Sequence, residues 1–289
     1  MRRRDLLKGM ALGGATIAMG RMAPVAAEPG IGAARAHLAI LERRHGGCLG
    51  MAMLDTGSGR RITHRADEKF LMCSTFKLLL ASLVLDRVDH GREKLDRRIV
   101  YGKDVLLDWA PVTSKHAGAP GMTISELCAA AITLSDNTAA NLLLDEVGGP
   151  QAVTAYARGL GDESTLLDRI EPALNPYDTT TPNSMLGDMQ QLLLGDRLSG
   201  SSRELLLGWL VACQTGLECL RAGMPDGWRI GDKTGQWDAK GVGADNDIAI
   251  AWPPDRKPVL VTAYYMNHTT DPAGRKAVLA EVGRIAATM

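Results

Sequence analysis

The order of the hydrophobic patterns along the chain is the feature that most limits its fold. Alternating apolar residues flank an Asp-Thr-Gly-Ser-Gly turn within residues 50–65, and β-branched or aromatic runs return within residues 227–266. Alternation around a short turn is typical of a β-hairpin. From Phe76 to about Leu207 the apolar spacing is helical instead. Strands are thus expected only near the two chain ends. This order predicts one antiparallel sheet that both ends build, with a helical domain inserted between them.

This order also predicts the domain boundaries. Terminal helices over residues 31–45 and about 273–287 are expected to flank a sheet of about five strands. The α/β domain would consist of residues 28–66 and 208–289, and the all-α domain of residues 67–207. The predicted fold class is therefore an α/β fold of two domains with its active site in the cleft between them.

Composition excludes several function classes. The chain has 289 residues, of which 45% are hydrophobic, and this is enough for a large core. Lys plus Arg and Asp plus Glu both number 33, so no basic surface is expected to recruit nucleic acid, and the expected partner is a small molecule. Six scattered histidines and five cysteines without a C-x-x-C pair give no ligand spacing, so neither a metal nor another cofactor is predicted.

The first 27 residues have the pattern of an export signal. Arginines and a lysine within residues 2–8 precede an apolar stretch that ends in small residues near Ala27. The paired arginines are similar to a twin-arginine signal, so we expect a mature periplasmic protein from about Glu28, without membrane attachment after cleavage. An uncleaved membrane anchor is the alternative, although the apolar run is shorter than the ~20 residues a span needs.

A serine and a lysine three residues apart open the first apolar helix of the helical segment. Ser74 stands at the start of CSTFKLLLASLVLDRV, and Lys77 follows among leucines. Residues three apart share a helix face, so the amine can reach the hydroxyl. Burial would lower the pKa of Lys77 and let it accept a proton, as nucleophile activation requires. A solvated lysine on a surface helix is the alternative, because S-x-x-K is common by chance.

Two further motifs favour the catalytic interpretation. The S-D-N triplet of residues 135–137 lies between two predicted helices, and the K-T-G triplet of residues 233–235 closes a predicted strand. S-x-x-K, S-D-N and K-T-G in this order resemble the motif set of class A β-lactamases and penicillin-binding proteins. We expect the three motifs to converge in the cleft between the domains.

The segment RIEPALN, residues 169–175, separates these two groups of proteins. It resembles the Ω loop of class A serine β-lactamases, whose E-P-x-L-N motif is matched by Glu171, Pro172, Leu174 and Asn175. A glutamate and an amide four residues apart can hold one water between them, whereas a surface charge is the alternative for a single glutamate. Penicillin-binding proteins form the same acyl-enzyme but lack this base. The resemblance extends from about residue 31 to residue 289.

The resemblance implies catalytic roles. Ser74 would be the acylating nucleophile, with Lys77 and Glu171 both open as bases for acylation. Glu171 would then activate the deacylating water, which Asn175 helps to hold. Ser135 would pass a proton to the lactam nitrogen. The oxyanion hole would consist of the backbone N–H groups of two residues, Ser74 and Gln236.

The resemblance also implies a substrate-binding set. Lys233 would attract the substrate carboxylate, Thr234 would hydrogen-bond it, and Asn137 would bind the side-chain amide. Trp109 fits an aromatic residue at the cleft mouth, although a packed core tryptophan is the alternative. The full predicted set is Trp109, Asn137, Lys233, Thr234, Gly235 and Trp237.

The Ω loop departs from the family pattern in its length. Arg169 and Asp178 match the ion pair of that loop. Only two residues separate Asn175 from Asp178, and the family carries a longer segment there. The Ω loop, about residues 169–178, is therefore predicted to be short.

Other departures lie around the K-T-G motif. Trp237 stands where small residues are common. Cys73 precedes the serine as in several carbapenemases, but no cysteine follows K-T-G, so we predict a free, buried Cys73 thiol. No arginine stands where the family places one for the substrate carboxylate: Cys219 and Asn246 occupy two such positions, and Lys276, near a third, is the substitute we expect.

The predicted function is hydrolysis of the β-lactam amide of penicillins and cephalosporins through a Ser74 acyl-enzyme that water activated by Glu171 releases, giving antibiotic resistance. The alternatives are a penicillin-binding DD-peptidase and a β-lactam receptor, which acylate without turnover. A lipase-like esterase is disfavoured because no G-x-S-x-G occurs. We expect a monomer whose partners are small β-lactam substrates.

Overall fold

The computed structural model describes residues 29–173, 177–239, 241–268 and 271–289. The predicted export signal and Asn175 lie outside these residues. Within the described residues, no helix combines the length and the apolar character that a membrane span requires.

The described elements follow the predicted order. The helices are α1 (Pro29–His45), α2 (Phe76–Asp89), α3 (Ile124–Thr133), α4 (Asn137–Val147), α5 (Pro150–Gly159), α6 (Pro182–Leu193), α7 (Gly200–Val211), α8 (Leu220–Gly223) and α9 (Pro272–Ala286). The strands are β1 (Cys48–Asp55), β2 (Arg61–His64), β3 (Phe70–Leu71), β4 (Arg98–Ile99), β5 (Met122–Thr123), β6 (Thr179–Thr180), β7 (Arg229–Ala239), β8 (Val242–Trp252) and β9 (Val259–Asn267).

Both chain ends build one antiparallel sheet, as the sequence predicted. The five strands lie in the order β2-β1-β9-β8-β7, so the C-terminal strand β9 pairs directly with β1. β1 and β2 form the predicted hairpin, and β7 and β8 form a second, longer hairpin. The predicted α/β fold is confirmed, with terminal helices at the sheet and a helical body inserted in the chain between β2 and β7.

The sheet is buried on both faces, and each face contributes to a separate core. Along β9, Leu260 and Tyr264 pack into the core of the helical body, whereas Val261 and Tyr265 pack against α1, α8 and α9. This division follows from the alternation of side chains along a strand. The cleft-lining strand β7 lies at one edge of this doubly covered sheet.

Three details differ from the sequence expectations. The inserted segment is not purely helical, because the two-residue strands β3 and β6 pair with each other, as do β4 and β5. Helix α7 continues beyond residue 207 to Val211. The K-T-G triplet lies within β7 instead of closing it, because the pairing of β7 with β8 continues to the Ala239–Val242 pair.

Candidate active site

The predicted nucleophile lies on a strained turn at the head of α2. Ser74 is 8% exposed and belongs to the 3₁₀ turn Cys73–Thr75, which leads into the helix. Cys73 has a φ of 46°, in the left-handed region that costs non-glycine residues of order 1 kcal/mol. The chain before the turn is fixed because the Asn246 amide donates to the carbonyl of Leu71 over 2.8 Å. The fold therefore holds Ser74 in one orientation.

Lys77 is fully buried one helical turn after Ser74. Its Nζ lies 2.9 Å from Ser74 Oγ, 2.9 Å from the Ser135 carbonyl oxygen and 2.6 Å from Asn137 Oδ1. Burial lowers the pKa of Lys77 to about 7, and the nearby Lys233 ammonium contributes to this lowering, against the opposing attraction of Glu171. The solvated-lysine alternative is wrong.

Ser135 connects the two lysines of the site. Its Oγ lies 3.4 Å from Lys77 Nζ and accepts a hydrogen bond from Lys233 Nζ over 3.0 Å. Ser135 lies between α3 and α4 with a φ of 57°, and Asp136 caps α4 by accepting from the Ala139 N–H. The left-handed residue and the cap together direct the serine into the cleft.

Strand β7 places the K-T-G residues against the nucleophile turn. Lys233 is fully buried, and burial lowers its pKa. Gly235 approaches the turn so closely that a Cβ there would lie 3.1 Å from the Ser74 nitrogen and 2.9 Å from Cys73 Cβ. Only glycine allows this approach without displacement, and it brings the following residue, Gln236, to the cleft.

Glu171 faces the same cleft from the Ω loop and is 8% exposed. Its backbone is held on both sides by Asn141 of α4: the Asn141 amide donates to the Glu171 carbonyl over 2.9 Å, and the Glu171 N–H donates to Asn141 Oδ1 over 3.2 Å. Burial raises the pKa of Glu171, although the Lys77 and Lys233 ammonium groups oppose this shift. The surface-charge alternative is wrong.

The predicted Ω-loop ion pair is present but long. Arg169 Nη1 lies 3.6 Å from Oδ1 of the fully buried Asp178. The Asp178 carboxylate also accepts from two backbone N–H groups, those of Asp168 and Arg169. The Asp178 carbonyl accepts from the Met72 N–H over 2.9 Å, which joins the end of the loop to the residues before the nucleophile.

One cavity of about 450 Å³ lies at this site, and its lining includes Ser74, Ser135 and Glu171. The buried Lys77 and Lys233 are not among the lining residues. Trp109 is 54% exposed at its mouth, with its indole N–H donating to the Leu134 carbonyl over 2.9 Å, so the packed-core alternative is wrong. Trp237 also lines the cavity and packs beside Cys73. The predicted residues that line it are Ser74, Trp109, Ser135, Asn137, Glu171, Thr234, Gly235, Gln236, Trp237 and Lys276.

Comparisons with known proteins agree with this arrangement. The model of the family described as "Beta-lactamase enzyme family" matches residues 33–288. Beta-lactamase L2 of Stenotrophomonas maltophilia is 48% identical over 255 residues, which cover 86% of this chain and 83% of that protein. OXY-2 of Klebsiella oxytoca is 42% identical, with 86% of each chain covered. The solved structure of an ancestral class A β-lactamase (GNCA) has a TM-score of 0.85 and 57% identity, over 88% of this chain and 99% of that chain.

The chain belongs to the class A serine β-lactamases. The protein is therefore an enzyme that hydrolyses the β-lactam amide and gives antibiotic resistance, and its substrates are β-lactams. The two alternatives, a DD-peptidase and a receptor that acylates without turnover, are not favoured by these relatives.

The two positions that lack the family's arginine, Cys219 and Asn246, lie differently in this β-lactamase. Asn246 does not line the cavity, because its amide is bound to the backbone before Ser74. Cys219 lines the cavity and is 2% exposed. Lys276 also lines it, with its Nζ 2.7 Å from the exposed Glu218 carboxylate.

Several residues that support the site of this β-lactamase were missed by sequence reasoning. Thr215 shares a short hydroxyl hydrogen bond with Thr234. The buried Arg275 of α9 binds two cavity-lining carboxylates, Asp238 of β7 and Asp245 of β8. No spacing pattern in the sequence predicts these contacts, because the partners lie far apart in the sequence.

The predicted cysteine state of the enzyme agrees with the structure. Cys73 is free and fully buried, as predicted, and burial raises the pKa of its thiol. The other cysteines, Cys48, Cys128, Cys213 and Cys219, are also free. Cys73 therefore packs as a small apolar residue behind the nucleophile.

Proposed function

We propose that Ser74 attacks the β-lactam carbonyl while Lys77 accepts its proton, and that Glu171 later activates the water that releases the acyl group. The observation that carries this assignment is the 2.9 Å contact between Lys77 Nζ and Ser74 Oγ, together with the lowering of the lysine pKa to about 7 by burial. A base with a pKa near the working pH is the most effective proton acceptor.

The partners of Lys77 support this direction of proton transfer. A neutral amine has two N–H groups and one lone pair. Two carbonyl-type oxygens, those of Ser135 and the Asn137 side chain, lie at 2.9 and 2.6 Å and accept the two N–H groups. The lone pair is then left for the Ser74 hydroxyl proton. Lys77 is thus placed to act as the base of acylation.

Opening of the lactam ring needs a proton for the leaving nitrogen. The bond between the carbonyl carbon and Ser74 Oγ forms as the C–N bond breaks. Ser135 Oγ lies 3.4 Å from Lys77 Nζ and can donate its own proton to the nitrogen while the Lys77 ammonium replaces it. Lys233, 3.0 Å from the same oxygen, stabilises negative charge that develops there.

Deacylation is a second acyl transfer, with water as the nucleophile. Glu171 takes one proton from the water as the water oxygen bonds to the acyl carbon. The ester bond to Ser74 Oγ then breaks, the proton held by Glu171 passes to Ser74 Oγ, and the product is the ring-opened acid. We assign to Asn175, which lies outside the described residues, the role of helping to hold that water. The backbone N–H groups of Ser74 and Gln236 would stabilise both oxyanions.

Substrate binding is assigned to the K-T-G side of the cleft. Lys233 and Thr234 would bind the substrate carboxylate, with Lys276 as an additional cation that replaces the family's arginine. Asn137 would bind the side-chain amide, and Trp109 and Trp237 would contact the side chain itself. The position of Lys276 on the cavity wall supports this role. To bind the substrate, its ammonium group would exchange the exposed Glu218 carboxylate for that of the substrate.

The acylation assignment is tested with the Lys77→Met variant and a chromogenic cephalosporin. The wild type should complete many turnovers, whereas the variant should acylate orders of magnitude more slowly, as followed by intact mass. Lys257→Met is the matched control, because Lys257 is exposed and lies outside the cavity. Acylation of Lys77→Met at the control rate would refute the assignment.

The role of Lys276 is tested with Lys276→Met. The variant should raise KM for a cephalosporin with a free carboxylate severalfold and leave KM for its methyl ester unchanged. An equal change for both substrates would show that Lys276 does not bind the carboxylate.

We further propose that residues 1–27 direct export through the twin-arginine pathway and that the mature enzyme acts in the periplasm as a monomer. Replacing Arg3 and Arg4 with lysine should keep the enzyme in the cytoplasm on fractionation. Unchanged periplasmic activity would refute export by the twin-arginine pathway. Gel filtration of the mature enzyme tests the oligomeric state and should give the mass of one chain.

A further inference from the structure

Two buried carboxyl groups lie side by side near the start of the Ω loop, outside the active site. Asp162 follows α5 and is 5% exposed, and Asp188 of α6 is 1% exposed. The two side chains are within hydrogen-bonding contact and line one cavity of about 250 Å³. Oδ2 of each carboxyl is buried without a donor among the described residues. Two adjacent hydrogen-bond acceptors are therefore buried without a donor among the described residues.

One proton resolves this arrangement. Two ionised carboxylates in contact repel each other, and burial adds the cost of removing both charges from water. A proton on one carboxyl group makes that group a hydrogen-bond donor, so that one oxygen of each carboxyl group takes part in a hydrogen bond between them. The same proton removes one of the two buried charges.

The surroundings assign the proton to Asp188. Asp162 Oδ1 accepts from the backbone N–H groups of Ser164 and Thr165 over 2.7 and 3.0 Å. Burial opposes ionisation of Asp162, but these hydrogen bonds outweigh it and lower its pKa. For Asp188, burial raises the pKa to about 9, and the charge of Asp162 and the contact with it act in the same direction.

The other ionisable groups around Asp188 do not neutralise it. Arg158 of α5 attracts its negative charge, but the guanidinium donates to the Asp162 carbonyl oxygen and pairs with Glu163. Tyr156 of α5 and Tyr264 of β9 also face the pair. Burial raises the pKa of both phenols, so they remain neutral.

We propose that Asp188 is a positioning residue that holds a proton at neutral pH and donates a hydrogen bond to Asp162, which in turn fixes residues 164 and 165 shortly before the Ω loop. The loop is closed directly after these residues: the Thr165 and Thr180 hydroxyls share a hydrogen bond of 2.6 Å, and the Leu166 N–H donates to the Thr179 carbonyl over 2.9 Å. Ionisation of Asp188 would place two negative charges, those of Asp162 and Asp188, in contact beside these residues. The link to turnover rests on the proposed role of Glu171, which the same loop carries.

The proton itself is tested by infrared difference spectroscopy of the mature enzyme near pH 7, independently of hydrolysis. Subtracting the Asp188→Asn spectrum from that of the wild type should leave the C=O stretching band of a protonated carboxyl group. A second variant, Asp162→Asn, changes the hydrogen-bond partner of the protonated group and should shift the same band to a different frequency. The absence of the band from the wild type overturns the proposal. A metal ion bound between the two carboxylates would also overturn it. Calcium would then raise the melting temperature of the wild type but not that of Asp188→Asn.

The positioning role is tested by the pH dependence of deacylation. Asparagine cannot ionise and keeps an N–H donor for Asp162, so Asp188→Asn is the matched variant. The ratio of wild-type to variant deacylation rate should be constant near pH 7 and fall severalfold as the pH rises through about 9. Titration of Lys77 and Lys233 affects both enzymes and cancels in the ratio. A ratio independent of pH would overturn the positioning role even where the infrared band is present.

Discussion

Ser74 and Glu171 face the same cleft, but different kinds of structure hold them. Ser74 lies between a helix and a sheet strand, with Lys77, Ser135 and Lys233 in a chain of contacts between 2.9 and 3.4 Å. Glu171 lies on a short loop, where Asn141 holds its backbone and no described residue hydrogen-bonds its carboxylate. Regular elements thus support one proposed catalytic group, and a few polar contacts support the other.

Because of this difference, we expect acylation and deacylation to respond to different substitutions. Groups on helices and strands keep their geometry when one neighbour changes, whereas a loop held by few hydrogen bonds shifts more readily. Acylation should therefore depend on the identity of the reacting groups, and deacylation also on the contacts that hold the Ω loop.

The largest expected effect comes from Ser74→Ala. Without the hydroxyl no acyl-enzyme can form, and turnover should fall by several orders of magnitude. Intact mass after mixing with a penicillin measures the adduct. Ser82→Ala is the control, because Ser82 is buried in the same helix and its hydroxyl bonds only the Leu78 carbonyl. An adduct on Ser74→Ala would place the nucleophile elsewhere.

A smaller effect is expected from Asn141→Ala, which changes only the support of the Ω loop. The substitution removes both side-chain hydrogen bonds to the Glu171 backbone. At about 1 kcal/mol each, their loss should slow deacylation by roughly ten- to thirtyfold. Acylation should change much less. Stopped-flow separation of the two steps is the measurement, and equal slowing of both would break the distinction between the two regions.

The pH dependence of acylation gives the next effect. Lys77 must be neutral to accept a proton, so single-turnover acylation should rise with pH and level off near its pKa of about 7, losing about tenfold for each unit below it. The Glu171→Gln background removes the titration of Glu171. Loss of the negative charge of Glu171 lowers the pKa of Lys77, so the acylation rate of this variant should level off at or below about pH 7. A rate independent of pH down to about 4 would exclude Lys77 as the base.

The smallest effect is expected from lengthening the loop. A family-typical segment inserted between Asn175 and Asp178 should thicken the wall beside the substrate side chain. The ratio of kcat/KM for a bulky oximino-cephalosporin to that for a small penicillin should then fall severalfold. The entropy of closing the longer loop contributes only a fraction of a kcal/mol and cannot produce such a ratio. An unchanged ratio in a folded, active variant would show that the loop does not set this selectivity.

The sequence predicted those features of the structure that depend on short-range patterns. The hairpin β1–β2 follows from alternation around a turn, and the contact of Ser74 with Lys77 follows from their helical spacing. The joining of both chain ends in one sheet followed from the position of the strands.

Contacts between distant residues could not be predicted in this way. Asn141 and Glu171 are separated by 30 positions, and Arg275 reaches Asp238 across 37 positions. Their approach depends on the packing of whole elements, which no period or motif encodes. Asn246 shows the same limit: the sequence indicated only that it stands where the family places an arginine, whereas the fold directs its amide to the backbone before Ser74.

The acylation time course of Glu171→Gln tests the division between the two regions most directly. Glu163→Gln is the matched control, since its carboxylate is 82% exposed near the start of the same loop. With a penicillin in excess, Glu171→Gln should form one acyl-enzyme per molecule at a rate close to that of the wild type and then retain it, while the control turns over normally. Failure of Glu171→Gln to acylate, or rapid steady-state hydrolysis by it, would contradict the account.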